Sequence, residues 1–385
     1  MSGQTPRIRL TITGGGTGGH VHPALAVVDE LRRRNQLGEV VWIGSRGGHE
    51  QQAALAAGIR FVAIPTGKLR RYLSLRNVTD AARVPLGIFA ARRALRAARP
   101  DVVFSTGGFV SVPAVIAARG IAPVLTHEQT ATLGLATRIN ARFATVLAIS
   151  HQQTAPEARK IHRWVEVTGN PIRTELNAGD RARGLARLGF EETLPVVYVT
   201  GGARGASAIN ERVAALMPGI LDEVQILHQT GPASANADAQ RLQALRDSLD
   251  ERHRRRYAIV EFIREELADV YATADLVVGR AGAGTVAELA YVGKPAIFIP
   301  LPVASGDEQA VNARVLENVG AAVVLPQPEA TPERLRREML AILQDQDRLK
   351  RMAAAARTVA QPDAAARIAD LLTTLATDTS ATTRR

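Results

Sequence analysis

Short runs of β-branched and aliphatic residues recur along this chain, each breaking into glycine or a polar turn and then into a stretch with helical apolar spacing. Ile8 to Thr13 runs into Gly14-Gly15-Gly16-Thr17-Gly18-Gly19, and Pro23 to Arg34 follows with helix periodicity. Val196 to Thr200 runs into Gly201-Gly202-Ala203-Arg204-Gly205-Ala206 and a helix-like stretch through Asn210 to Leu216. Thr13-Gly14-Gly15 and Thr200-Gly201-Gly202 match at a spacing of 187 residues. Further strands are predicted at Val40 to Gly44, Asp101 to Ser105, Val124 to His127 and Thr145 to Ile149, then at Val224 to His228, Ala258 to Val260, Leu276 to Val278 and Ala296 to Ile299. Uninterrupted Val/Ile/Leu strands alternating with helices imply parallel sheets covered on both faces. Two copies of one opening unit imply two doubly wound, Rossmann-like α/β domains facing each other across a cleft, with ligands at the carboxyl ends of the strands.

The turn Gly169-Asn170-Pro171-Ile172-Arg173 punctuates the chain after the last strand of the first half. Domains are therefore expected over 1–172 and 173–356, with a C-terminal helix at about 357–376 packing back on the first and a frayed Thr/Ser-rich tail from Thr377. Two or three domains also suit 385 residues. The absence of cysteine excludes disulfides, thiolate nucleophiles and thiolate-held metals, leaving oxygen, nitrogen and backbone groups for any chemistry. No apolar secretion signal opens the sequence and no apolar run reaches bilayer-spanning length, so a cytoplasmic protein is expected, and the sequon Asn77-Val78-Thr79 reads as a surface turn. Forty-eight Lys and Arg against 37 Asp and Glu give a net charge of +11, which suggests a polyanionic partner: nucleic acid, an anionic membrane face or a phosphorylated substrate.

Gly14-x-Gly16-x-x-Gly19 matches a dinucleotide fingerprint, whose glycines let phosphates approach backbone N–H groups at a helix N-terminus. Val41-Trp42-Ile43-Gly44-Ser45-Arg46 lacks the acidic residue that would hold a nicotinamide ribose, although Arg46 could select a 2′-phosphate. His20 directly follows the glycines and could serve as a general base beside a phosphate site, or simply pack at the helix start. His20-Val21-His22 lacks a third metal ligand nearby. Gly107-Gly108, within Ser105-Thr106-Gly107-Gly108-Phe109-Val110-Ser111, offers a second phosphate loop or a tight turn. His127-Glu128-Gln129 closes another strand, offering a base and a carboxylate or a structural hydrogen-bonded cluster. In the second half, Gly279-Arg280-Ala281-Gly282-Ala283-Gly284-Thr285-Val286-Ala287-Glu288 enters a helix whose free N–H groups would hold a diphosphate, with Glu288 placed for ribose hydroxyls or for the helix dipole. Gln309 suits sugar hydroxyls because its amide both donates and accepts. The lone Asp-x-Asp, Asp345-Gln346-Asp347, lies in a charge-mixed helical stretch and is read as a solvated face, so no metal is expected there.

These blocks, in this order, resemble the MurG family: Gly15-Gly16-Thr17-Gly18-Gly19-His20, Thr106-Gly107-Gly108-Phe109-Val110-Ser111, His127-Glu128-Gln129, Gly169-Asn170-Pro171-Ile172-Arg173, Gly201-Gly202-x-x-Gly205-Ala206, His228-Gln229-Thr230-Gly231 and Arg280-Ala281-Gly282-Ala283-x-Thr285-x-x-Glu288. The resemblance covers about 8 to 355. It implies a GT-B glycosyltransferase fold and inverting transfer of N-acetylglucosamine from UDP-N-acetylglucosamine to the 4-hydroxyl of undecaprenyl-diphospho-N-acetylmuramoyl-pentapeptide, without a cofactor or metal. By position it implies Thr17, Gly18 and Gly19 at the donor sugar and acceptor diphosphate, His20 or Glu128 as base, and UDP on Arg173, Ile263 and the loop from Ala283 through Gly284, Thr285, Val286 and Ala287 to Glu288. Ile263 would meet uracil through its backbone, Glu288 the ribose, and Gln309 the glucosamine hydroxyls. The chain departs from the family pattern at Thr130, Ala203, Phe109 and Gly284.

The charge concentrates in residues 66–100, where Lys68, Arg70, Arg71, Arg76, Arg83, Arg92, Arg93, Arg96 and Arg99 face Asp80 alone. Leu75, Val84, Leu86, Ile88, Phe89 and Leu95 are interleaved with them, a pattern that can lie on an anionic membrane face or pack as a solvated core helix. No aromatic interleaving supports nucleic acid. A peripheral enzyme on the cytoplasmic face of the cell membrane is therefore expected. The competing readings are a UDP-sugar epimerase, a glycolipid glycosyltransferase and a non-catalytic sugar-nucleotide-binding protein.

Overall fold

The computed structural model describes residues 7–16, 18–67, 75–234, 237–263, 266–302 and 307–378, with the backbone alone over 75–83. Seven strands, β1 (Ile8–Thr13), β2 (Leu37–Ser45), β3 (Arg60–Ile64), β4 (Val102–Ser105), β5 (Val124–Glu128), β6 (Val146–Ile149) and β7 (Val165–Val167), form one sheet in the order 3-2-1-4-5-6-7. Six more, β8 (Val196–Thr200), β9 (Gln225–Gln229), β10 (Tyr257–Val260), β11 (Leu276–Gly279), β12 (Ala296–Phe298) and β13 (Ala322–Val324), form a second sheet in the order 10-9-8-11-12-13. Every ladder is parallel; Leu10 pairs with Val40 on one side and Val102 on the other, and Val197 with Ile226 and Leu276.

Burial on both faces explains the uninterrupted apolar strands. Ile8, Leu10, Ile12 and Phe104 face one helical layer, while Val41, Ile43, Val103 and Val124 face the other. Both faces of the second sheet are covered in the same way, Val197, Val199 and Ile226 on one side and Val196, Tyr198 and Leu227 on the other. The sequence reading missed β3, β7 and β13. All three are the last or outermost strands of their sheets, and β7 and β13 have only three residues each.

One unit comprises the described residues of Met1–Arg173 and Gln361–Arg385, the other Thr174–Ala360. The helix Ala364–Thr377 places Ala365, Ile368, Ala369, Leu372 and Leu375 in the same core as Val28 and Leu31 of the first helix, Gly18–Arg33, and Arg34 pairs with Asp370 at 2.5 Å. Burying each of the larger aliphatics contributes roughly 1.5–3 kcal/mol. Gly18–Arg33 begins five residues before the apolar periodicity does, because Gly18, Gly19 and His20 form its first turn. The sequon at Asn77 is a correction: the backbone there is helical, inside Leu75–Ala98, not a turn. Asp345 caps the helix Gln346–Thr358 by accepting from the Arg348 backbone N–H.

Both strand orders reverse at a switch point, between β1 and β4 and between β8 and β11. Loops that follow these strands diverge from one another at their carboxyl ends and open the crevice where α/β sheets take ligands. Gly14–Gly16 and Gly107–Gly108 flank the first switch point, and Gly201–Gly205 and Arg280–Ala283 flank the second.

Candidate active site

The two glycine loops of the first unit touch. Gly108 has φ +75°, and a Cβ on it would come 2.4 Å from the Gly15 carbonyl oxygen. Gly15 is itself fixed from behind, since a Cβ there would meet the Glu50 carboxyl carbon at 2.4 Å. Glu50 is fully buried and accepts from the Gly16 backbone N–H at 3.1 Å, the Ser45 backbone N–H at 3.0 Å and the Ser45 hydroxyl. Trp42 adds its indole N–H to the Gly14 carbonyl at 3.1 Å. The carboxylate that seemed missing beyond β2 is thus supplied by the next helix and is spent on the loop backbone. Sequence reasoning missed Glu50 because a lone glutamate in a first helical turn looks like a dipole partner.

His20 sits half-buried against this turn. Its Nδ1 lies 2.7 Å from the Thr106 carbonyl oxygen and 2.9 Å from Gln129 Oε1. A carbonyl oxygen only accepts, so Nδ1 carries the proton and Nε2 keeps the lone pair. Nε2 lies beside Gly108, 3.3 Å from where a Cβ would sit, and bonds to no described residue. The loop closes around it through Ser111, whose hydroxyl donates to the Gly108 carbonyl at 2.8 Å and accepts from Asn140 Nδ2 at 2.8 Å. Phe109 packs its ring on Gly16. Thr17 lies outside the described residues, and among those described no cluster of three or more metal-ligating side chains occurs.

The three residues closing β5 take different parts. Glu128 is 4% exposed; its Oε1 accepts from the Thr130 backbone N–H at 3.1 Å and lies 2.8 Å from the Thr130 hydroxyl, while Oε2 accepts from the Gly134 backbone N–H at 3.0 Å. His127 is a correction: both of its ring nitrogens are engaged inside the protein, so it is no base for a ligand. Its Nε2 donates to the Gly169 carbonyl at 2.9 Å, its Nδ1 accepts from Gln129 Nε2 at 3.0 Å, and burial lowers its pKa to about 4. Arg173 ends the N-terminal stretch of the first unit.

In the second unit the helix Ala283–Val292 starts directly beyond β11, with Gly282 as its N-cap and the N–H groups of its first turn unclaimed by the helix itself. Glu288 projects from its second turn and accepts from the Tyr271 hydroxyl at 2.8 Å through Oε2. Arg280 donates to the carbonyls of Ile299 and Pro300 at 2.7 and 3.0 Å and to Gln327 Oε1 at 2.7 Å, and its own burial lowers its pKa to about 10. It thereby holds the segment leading to Gln309, whose Oε1 accepts from the Leu301 backbone N–H at 2.9 Å. The Ile263 backbone N–H donates to Gln229 Oε1 at 3.2 Å. Gln229 also accepts from the Tyr198 hydroxyl at 3.0 Å and donates to the Gly202 carbonyl at 3.2 Å, tying that glycine loop to Ile263.

Family models for the glycosyltransferase family 28 N-terminal domain and C-terminal domain match residues 10–149 and 196–368, one on each sheet. The class is therefore a two-domain family 28 glycosyltransferase. The UDP-N-acetylglucosamine--N-acetylmuramyl-(pentapeptide) pyrophosphoryl-undecaprenol N-acetylglucosamine transferases of Clostridium perfringens and Halothermothrix orenii are 38% and 36% identical to it over 334 and 359 residues, covering 86% and 92% of this chain and 88% and 95% of theirs. The crystal structure of Acinetobacter baumannii MurG superposes with a TM-score of 0.70 at 31% identity, covering 94% of this chain and 98% of that one. This chain belongs to the MurG family.

Proposed function

We infer that this chain transfers N-acetylglucosamine from UDP-N-acetylglucosamine to the undecaprenyl-diphosphate-linked N-acetylmuramoyl-pentapeptide in peptidoglycan synthesis. The observation that carries this is the agreement of its relatives over most of the chain, including both switch points. The acceptor 4-hydroxyl oxygen attacks the anomeric carbon in line, the bond from that carbon to the UDP phosphate oxygen breaks, and the hydroxyl proton passes to a base. Of the two groups considered for the base, His20 fits better. Its Nε2 lone pair is unclaimed, whereas Glu128 spends both oxygens on its own turn. Gly18, Gly19, Gly107 and Gly108 in the first unit serve the acceptor diphosphate, with Thr17 and Arg173 completing the substrate contacts carried over from the family. In the second unit the backbone from Ala283 through Gly284 and Thr285, at the N-terminus of a helix that continues through Val286 and Ala287, stabilises the charge growing on the departing UDP. Ile263 takes the uracil through its carbonyl, Glu288 the ribose and Gln309 the sugar hydroxyls.

Transfer of radiolabel from UDP-N-acetylglucosamine to the lipid-linked muramoyl acceptor tests the function; tight UDP binding with no transfer would turn the reading toward the non-catalytic alternative. The epimerase reading is not favoured, since the relatives carry the transferase name. Glu288→Ala should raise the donor KM by about 10- to 100-fold, the effect of losing one or two charge-assisted hydrogen bonds, with a smaller change in kcat. An unaltered KM would sink the ribose assignment.

The membrane reading rests on the helix Leu75–Ala98. Ala91 and Leu95 face the core, correcting Leu95 as a surface residue, and Arg92 donates to the carbonyls of Ala117 and Arg119. Leu86 and Phe89 are 62% and 74% exposed, on the same side as the exposed Arg93 and Arg96. Lys68, Arg70 and Arg71 lie outside the described residues, as do the side chains of Arg76 and Arg83. Among the described residues no helix is long and apolar enough to cross a membrane. The exposed apolar pair flanked by arginines supports peripheral attachment to the anionic cytoplasmic face. Sedimentation with anionic liposomes at low salt should pellet the protein, and Leu86→Ser with Phe89→Ser should weaken it; no binding at low salt refutes the attachment.

A further inference from the structure

Gln129 has no part in the chemistry above, yet its side-chain amide is the most constrained group beside His20. Its Oε1 faces His20 Nδ1 at 2.9 Å; its Nε2 faces His127 Nδ1 at 3.0 Å and the His127 carbonyl oxygen at 3.2 Å. The orientation of that amide follows without choice. The His127 carbonyl and the Gly169 carbonyl both accept, so His127 is protonated on Nε2 and its Nδ1 offers a lone pair, and the Gln129 NH2 must point there. Oε1 is then left for His20. The result is a one-way wire of donors: His20 Nδ1–H to Gln129, Gln129 to His127, and His127 to Gly169. Beyond the half-buried His20 the wire is buried, with His127 unexposed and Gln129 at 2%. The Gln129 backbone is held as well, since its carbonyl accepts from the His151 ring.

We propose that Gln129 is the positioning residue of the catalytic base, holding the His20 ring and tautomer so that Nε2 presents its lone pair to the acceptor hydroxyl. This rests on the reading of His20 as base. The Thr106 carbonyl alone, at 2.7 Å, would leave the ring free to pivot about a single bond; two acceptors on one N–H fix its plane. Turning the amide over would set two donors face to face at His20 and acceptors face to face at His127, so the wire excludes the opposite tautomer. His127 acts only through Gln129. Burial lowers its pKa to about 4, so it is neutral at neutral pH. The titratable side chains facing His127 are His20 and His151.

The test uses the full chain with 15N-labelled histidine, the His20 signals being identified by their loss in His20→Ala. In the unaltered protein His20 should give a protonated Nδ1 and an unprotonated Nε2 at neutral pH. Gln129→Met removes the acceptor at similar volume. It should lower kcat by about 10- to 100-fold, the scale of a misplaced reacting group, with donor and acceptor KM little changed, and it should move the His20 nitrogen shifts. Gln129→Glu keeps an acceptor on Nδ1–H and adds a negative charge, so His20 should retain its tautomer with a raised pKa, moving the acid limb of kcat up by about one pH unit or more. A merely structural Gln129 would move neither the tautomer nor the pH profile. Unchanged His20 shifts in Gln129→Met together with an unmoved acid limb in Gln129→Glu overturn the proposal; should Gln129→Met not fold, Gln129→Glu decides alone. Failure of the base reading is distinct: full turnover in His20→Ala would refute it whatever the tautomer measured in the free protein.

Discussion

Replacing His20 with alanine is expected to lower kcat by about 10²- to 10⁴-fold, the usual contribution of a positioned general base. Donor KM should stay nearly constant, because the ring's contacts are to Thr106, Gln129 and the Gly107–Gly108 turn of the first unit, while the ribose, uracil and sugar contacts assigned above lie in the second. Stability should change far less than turnover, because the ring is only half-buried. The loss should therefore appear in turnover, measured at saturating donor and acceptor, with thermal unfolding little changed. Turnover within twofold of the unaltered enzyme would remove His20 from the base role. A rise in donor KM with constant kcat would move His20 to the donor subsite instead.

Glu50→Ala is expected to have the second large effect, and of a different kind. Three donors converge on this buried carboxylate, two from backbone N–H groups and one from the Ser45 hydroxyl. A buried N–H stripped of its partner costs about 1–3 kcal/mol, so the variant should lose about 2–5 kcal/mol of stability, read as a fall in the denaturant midpoint. Turnover should drop too, because Gly15 and Gly16 would lose what holds them against Gly108. Glu50→Gln keeps one acceptor but sets an NH2 against a donor, and should fall between. A wild-type midpoint and wild-type turnover in Glu50→Ala would mean that the glycine loop holds its shape without the carboxylate.

Much of the fold was legible in the chain because parallel strands buried on both faces must be continuously apolar. Thr13-Gly14-Gly15 and Thr200-Gly201-Gly202 marked the first strand of each sheet, and in both sheets that strand borders the switch point. Three of the four edge strands escaped notice: Arg60-Phe61-Val62-Ala63-Ile64 begins with a charge and its first four side chains are not buried. The site was half legible. Glycines and His20 announced themselves by type and spacing, whereas the division of labour in His127-Glu128-Gln129 depends on alternation at a strand end. Residues 127 and 129 share one side and join the His20 wire, while Glu128 turns to the other and clamps the 130–134 turn. Glu50 and Tyr271 carried no local signal, because they act on Gly16 and Glu288, 34 and 17 residues away in the chain.

The helix Ala364–Thr377 also fixes an order of events during synthesis. Domains generally fold as units as they emerge from the ribosome, N-terminal first, at about 5–20 residues per second. Here the core around Ile8, Leu10, Val28 and Leu31 includes Ile368, Leu372 and Leu375, so the first sheet to be made cannot be finished until residue 375 has been translated. The second unit, Thr174–Ala360, is continuous in sequence and meets no such delay. A premature stop before residue 364 would thus leave the first unit with an open apolar groove for chaperones to guard, while the second is already complete.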